Sequence, residues 1–198
     1  CSSRTEVVIA GSNGGILHAF KTSDGEELWG YIPPNIIGKL STMITSKANA
    51  SNPIYGIDGQ ATIKDIYFDD TDDSVDNPRW RTVLFSALGP GGHGYFALDI
   101  TNIKSPKHLF AIQNDTFDNK VLIWNGREQK SEFPYTPGIP IANSAFDYQK
   151  LGEAWSAPRI IRIKHNGNDK WVAVIGGGFN GATNPNYGSA VFVIDLES

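Results

Sequence analysis

The densest run of hard oxygen ligands in the chain is Asp69 to Asn77, DDTDDSVDN. Cations such as Ca²⁺ are held by several oxygens from one tight loop, and alternate residues of an extended loop point the same way. Two registers fit. One uses Asp70, Asp72, Ser74 and Asp76 at loop positions 1, 3, 5 and 7, and the other uses Asp69, Thr71, Asp73 and Asn77 at 1, 3, 5 and 9. Neither register places glycine at position 6 or Glu at position 12, as the helix-loop-helix calcium site requires. The run reads either as a calcium loop or as a solvated acidic hairpin tip.

Other motifs carry less chemistry. Gly89-x-Gly91-x-x-Gly94 and Gly176-x-Gly178-x-x-Gly181 match the dinucleotide fingerprint in letters. That fingerprint needs a helix next, whose N-terminus holds the pyrophosphate. Here Tyr95 to Thr101 reads as a strand and Ala182 to Tyr187 contains Asn184-Pro185, so both glycine clusters read as hairpin turns and no nucleotide is expected. His18, His93, His108 and His165 are scattered without ligand spacing, and no G-x-S-x-G elbow is present, so no catalytic residue is assigned. Cys1 has no internal disulfide partner. It is a half-bridge to an upstream segment, a free thiol or a lipid-modified terminus.

The elements behind these motifs repeat. Val7 to Lys21, Thr82 to Asp99 and Trp171 to Asp195 each read as a β-rich run, a glycine-rich turn and a second run. Repeated four-stranded units are the sequence signature of a β-propeller. The predicted fold is therefore all-β, a single partial propeller domain over residues 1–198. Its blade strands fall at about 7–31, 60–113 and 156–196, with insertions at about 34–58 and 115–152. The first unit lacks its first strand, the second has four (Gln60 to Phe68, Arg81 to Leu88, Tyr95 to Thr101, His108 to Gln113), and the third stops after three. About three incomplete blades cannot close a ring, so further blades of a longer parent chain are expected. Asn35 to Lys47 places Ile36, Ile37, Leu40, Met43 and Ile44 at helical spacing behind Pro33-Pro34, which predicts one short amphipathic helix after the first blade. Asp115 to Gly152 mixes five aromatics with three prolines and reads as an ordered loop that either covers the blades or meets a partner.

Composition narrows the function. Lys and Arg number 17 against 21 Asp and Glu, a net charge of −4, which disfavours nucleic acid as a partner. No run approaches the ~20 apolar residues of a membrane-spanning helix. No basic-then-apolar leader opens the sequence, so a leader has been removed or the segment is internal.

Two resemblances add to this. Ala19 to Trp29, AFKTSDGEELW, resembles the blade-docking motif of quinoprotein dehydrogenases at Ala19, Gly25 and Trp29, with Lys21 and Asp24 departing from it. In that family the Trp stacks between blades, so the likeness speaks to architecture, and a quinoprotein-like dehydrogenase fragment is the enzyme alternative. The ordered segments VVIAGSNGGILHAF, YGIDGQATIKDIYF, WRTVLFSALGPGGHGYFALDIT, LGEAWSAPRIIRI and WVAVIGGGFNG resemble the C-terminal propeller of the PilC/PilY family of type IV pilus proteins. The resemblance implies a non-catalytic module of a large secreted protein at the extracellular pilus tip or outer membrane, exported through the periplasm. It further implies roles in pilus assembly, adhesion and twitching motility, with Ca²⁺ in an Asp-rich loop. Pilus subunits or minor pilins and an unidentified host or surface receptor are the implied partners. A purely structural outer-membrane assembly scaffold is the remaining alternative.

Overall fold

A computed structural model of the chain describes residues 4–45, 53–67, 80–126, 129–142, 147–179 and 187–196. Three antiparallel sheets follow one another along the chain, each a simple meander. The first comprises β1 (Val7–Gly11), β2 (Leu17–Lys21) and β3 (Glu27–Tyr31). Two short helices follow, α1 (Pro34–Ile37) and α2 (Leu40–Thr45). The second sheet runs β4 (Ala61–Tyr67), β5 (Trp80–Ala87), β6 (Gly94–Asp99), β7 (Lys107–Asp115), β8 (Lys120–Asn125) and β9 (Gln129–Pro134). The third holds β10 (Arg159–His165), β11 (Asn168–Gly177) and β12 (Gly188–Asp195).

Side-chain alternation explains how the sheets stack. Val83, Phe85 and Ala87 of β5, with Tyr95 and Ala97 of β6, join Ile160, Ala173, Ile175 and Ile194 of the third sheet in one apolar cluster. The intervening residues Leu84, Phe96 and Leu98 join Leu17, Ile36 and Trp29 on the other side. The middle sheet is thus buried on both faces, which is why β5 and β6 read as near-continuous apolar runs. The outer sheets alternate instead: β12 leaves Val191 and Val193 exposed, and β1 leaves Val8 exposed. Face-to-face stacking of meander sheets is the propeller arrangement.

Trp29 links the first two sheets. Its indole Nε1 donates to the Ile103 carbonyl oxygen at 2.7 Å, while Ala19, its partner across β2 and β3, is fully buried. The residues that resemble the quinoprotein docking motif therefore do an inter-sheet job, and the Asp24-Gly25 turn joins β2 to β3 as its residue types predict.

Two expectations are corrected. Residues 115–152 are not all loop, because Val121, Leu122, Ile123 and Trp124 form the β-branched and aromatic run of β8, which pairs with β7 and β9 and widens the middle sheet to six strands. The prolines that suggested a loop fall at and after the end of β9. The expected single helix is two. Gly38, the C-cap of α1, sits at the break, and the Lys39 side chain beside it donates to the Gly91 carbonyl oxygen. Of its apolar stripe, Ile36 is buried and Leu40 and Met43 pack inward, while Ile37 and Ile44 face solvent.

Candidate functional site

The glycine-rich turns between β1 and β2 and between β5 and β6 lie at one end of the sheets, together with Gly178 and Phe179, which follow β11. Two entry straps cross them. Residues Gly56 to Gly59 lead into β4. There the Ile57 amide donates to the Ser12 carbonyl oxygen of the first turn and the Asp58 amide to the Leu88 carbonyl oxygen of the second. Residues Gly152 to Ala154 lead towards β10. The Gly89 amide donates to Ala154, the Ala154 amide to Gly92, and the Glu153 and Phe179 backbones exchange hydrogen bonds. Each strap therefore couples the turn of the preceding sheet to the turn of its own.

Such crossings need bare backbone. A Cβ on Gly91 would lie 1.7 Å from the Gly56 carbonyl oxygen, and one on Gly178 would lie 2.0 Å from that of Glu153. The first fingerprint-like cluster is thus explained by close approach, and β6 follows it at Gly94 as a strand. The second ends in residues 180–186, outside the described residues.

A polar cleft of about 240 Å³ opens beside the second turn, lined by Lys39, His93, Gln113, Asp115, Glu153 and, at its rim, Phe117. The helix break supplies Lys39, the glycine turn His93, the end of β7 Gln113 and Asp115, and the strap Glu153. Burial holds the Lys39 ammonium below its ordinary value, and the Glu153 carboxylate acts against that shift. Burial likewise lowers His93, opposed by Glu153 and reinforced by Lys39. Hydrogen bonds fix the walls. The buried Asn114 donates from Nδ2 to the Gln149 and Leu151 carbonyl oxygens, both at 2.9 Å, and accepts from the Tyr135 hydroxyl at 2.8 Å. The Asp115 carboxylate accepts from the amides of Phe117 and Asp118, each at 3.2 Å, and holds out a Phe117 ring that is 92% exposed. Trp155 Nε1 donates to Glu153 Oε2 at 2.9 Å.

The acidic-loop residues Asp69, Asp70, Thr71, Asp72, Asp73, Ser74, Asp76 and Asn77 lie outside the described residues, as does Cys1. The flanking strands pair with Tyr67 opposite Trp80, and their rings meet edge-on at 5.4 Å. That end of β5 is roughly 25 Å from the glycine turns at ~3.3 Å per residue. Among the described residues, no cluster of three His, Cys, Asp or Glu side chains could hold a metal. His18 pairs with Glu27 at 2.7 Å and His108 with Tyr31 at 2.6 Å, separate from His93. In the 115–152 segment Tyr148 is buried and Phe133 and Tyr135 pack on the core, while Phe117 is offered outward. Spacing does not single out Lys39 or Glu153, since only tertiary packing brings them to His93.

Burial lowers both His93 and His108 below the ordinary imidazole value of 6.5. A base with a lowered folded value binds protons less readily than in the unfolded chain. Stability is thus full above 6.5 and is lost as the pH falls through that value towards the folded one. The urea midpoint is expected to fall between pH 7.5 and pH 5.5, both roughly one unit from the reference value. His108→Gln should flatten that slope. A slope unchanged in His108→Gln would remove this residue from the account.

Comparison with known proteins fits the architecture. Residues 1–198 match the family model described as the PilY1 beta-propeller domain. The type IV pilus biogenesis factor PilY1 of Pseudomonas aeruginosa is 29% identical over 195 residues, covering 98% of this chain and 13% of that protein. A PilY1 homolog of Xylella fastidiosa is 39% identical over 101 residues, covering 51% of this chain and 8% of its own length. The crystal structure of the P. aeruginosa PilY1 C-terminal domain superposes with a TM-score of 0.59 at 27% identity, covering 98% of this chain and 28% of that one. With its stacked meander sheets and a family match over its whole length, the chain belongs to the PilY1 β-propeller family.

Proposed function

We propose that the chain is a non-catalytic propeller module of a type IV pilus protein that supports pilus assembly, adhesion and twitching motility at the pilus tip or outer membrane. The family match along residues 1–198, with relatives named as type IV pilus biogenesis factors, carries this reading. The exposed Val8 on one outer sheet and Val191 and Val193 on the other are apolar seats suited to further blades of a longer chain. No helix among the described residues is long and apolar enough to cross a membrane. Pilus subunits or minor pilins, and a surface receptor, are the partners this module would meet. Calcium bound by Asp70, Asp72, Ser74 and Asp76, or by Asp69, Thr71, Asp73 and Asn77, would stabilise the bound state in proportion to its concentration over Kd.

The test is genetic and calorimetric. Deleting residues 1–198 in the source bacterium is expected to reduce sheared surface pili and the twitching zone, and wild-type levels of both would overturn the assembly role. Titration with Ca²⁺ should give heat that Asp70→Ala/Asp72→Ala abolishes; equal heats in both would remove calcium from the acidic loop.

A further inference from the structure

We propose that the cleft between the second glycine turn and the second entry strap binds a single pyranose ring of a glycan. Sugar recognition needs fixed planar acceptors and donors for neighbouring hydroxyls, and an aromatic face for the ring's C–H side. The cleft has both. The Asp115 and Glu153 carboxylates accept from hydroxyls, and Lys39 and the Gln113 amide donate to them. Phe117, exposed at the rim, supplies the face.

Preorganisation separates this cleft from an ordinary polar surface. Asp115 is held by two amides of its own turn, Glu153 by the Trp155 indole, and Lys39 by the Gly91 carbonyl oxygen. These groups lose little side-chain freedom on binding. A largely exposed Phe has no packing role in the fold, yet the turn that presents it is hydrogen-bonded. The volume of about 240 Å³ lies below the ~300–1,000 Å³ of sites for drug-sized ligands, which points to one ring rather than an oligosaccharide. With both acidic and basic walls, the cleft suits a neutral ring better than a free anion.

The inference rests on the chain acting as a binding module, but its readout is independent of pili and twitching. Saturation-transfer NMR would be run on the full-length protein with the methyl glycosides of galactose, glucose, mannose and N-acetylglucosamine, with acetate and glycine as controls. At least one glycoside is expected to receive saturation on its ring C–H protons, with a Kd in the ~mM range of a single ring. Phe117→Ala should abolish the transfer. Trp80→Ala, an exposed aromatic at the far end of β5, should leave it intact. No transfer to any glycoside, transfer to acetate or glycine alone, or transfer that persists in Phe117→Ala would overturn the proposal.

Discussion

Gly91→Ala is expected to lower the unfolding temperature by about 6–12 °C, from a cost of about 3 kcal/mol at ~2–4 °C per kcal/mol for a chain of this size. The added Cβ would sit 1.7 Å from the Gly56 carbonyl oxygen, and the other near atoms, Gly56 C and Leu88 O, are also backbone. Nothing can rotate away, so turn and strap must part. Two companions separate this steric effect from glycine's other uses. Gly25 has open space around its Cα but a φ of +75°, so Gly25→Ala should show only the left-handed penalty of about 1 kcal/mol. Gly38 has open space and a helical φ of −62°, so Gly38→Ala should be neutral or gain about 0.5 kcal/mol. Thermal scanning of the three variants should rank them in that order. Equal losses at Gly91 and Gly25 would mean that the strap crossing is not what requires glycine.

The same crossing shows where sequence reasoning succeeds and where it stops. Turn glycines, β-branched runs and the Asp24-Gly25 hairpin depend on local chemistry, so the three repeated hairpins are legible as written. The continuous apolar run through β5 and β6 even announces a sheet buried on both faces. Residues 115–152 read as a loop on their prolines, yet these lie at or beyond the end of β9 and leave the strand-forming run Val121 to Trp124 uninterrupted. The cleft was not legible at all. Lys39, His93, Asp115 and Glu153 come from four separate segments, and no spacing rule relates residues that meet only once the helix break, the β6–β7 pair and the second strap are in place. Of that group only His93 stands out in the sequence, for its glycine neighbours.

Asn114→Asp should be the most informative change near the cleft, because it alters one atom and reverses its hydrogen-bonding sense. Nδ2 now donates to the carbonyl oxygens of Gln149 and Leu151, and an oxygen there would face both at close range. The carboxylate would be buried without a partner donor on that side, a cost of about 3–5 kcal/mol at neutral pH. Protonation relieves it, so the folded value of the introduced carboxyl would rise above the ordinary ~3.9. An acid whose folded value is raised contributes stability that is fully present below its unfolded value and is lost as pH rises through the folded one. The gap between wild type and Asn114→Asp should therefore narrow in acid and widen towards neutrality. Asn114→Ala, which leaves two carbonyls and the Tyr135 hydroxyl without this partner, should instead lose about 3 kcal/mol with little dependence on pH. Urea unfolding of all three proteins across the acid range distinguishes these slopes, and parallel curves for wild type and Asn114→Asp would show that the amide does not hold the strap. Residues 149 and 151 lead directly into Gly152 and Glu153, so the same side chain that anchors the strap also sets one wall of the cleft. Loss of stability and displacement of Glu153 from Lys39 and His93 are expected together.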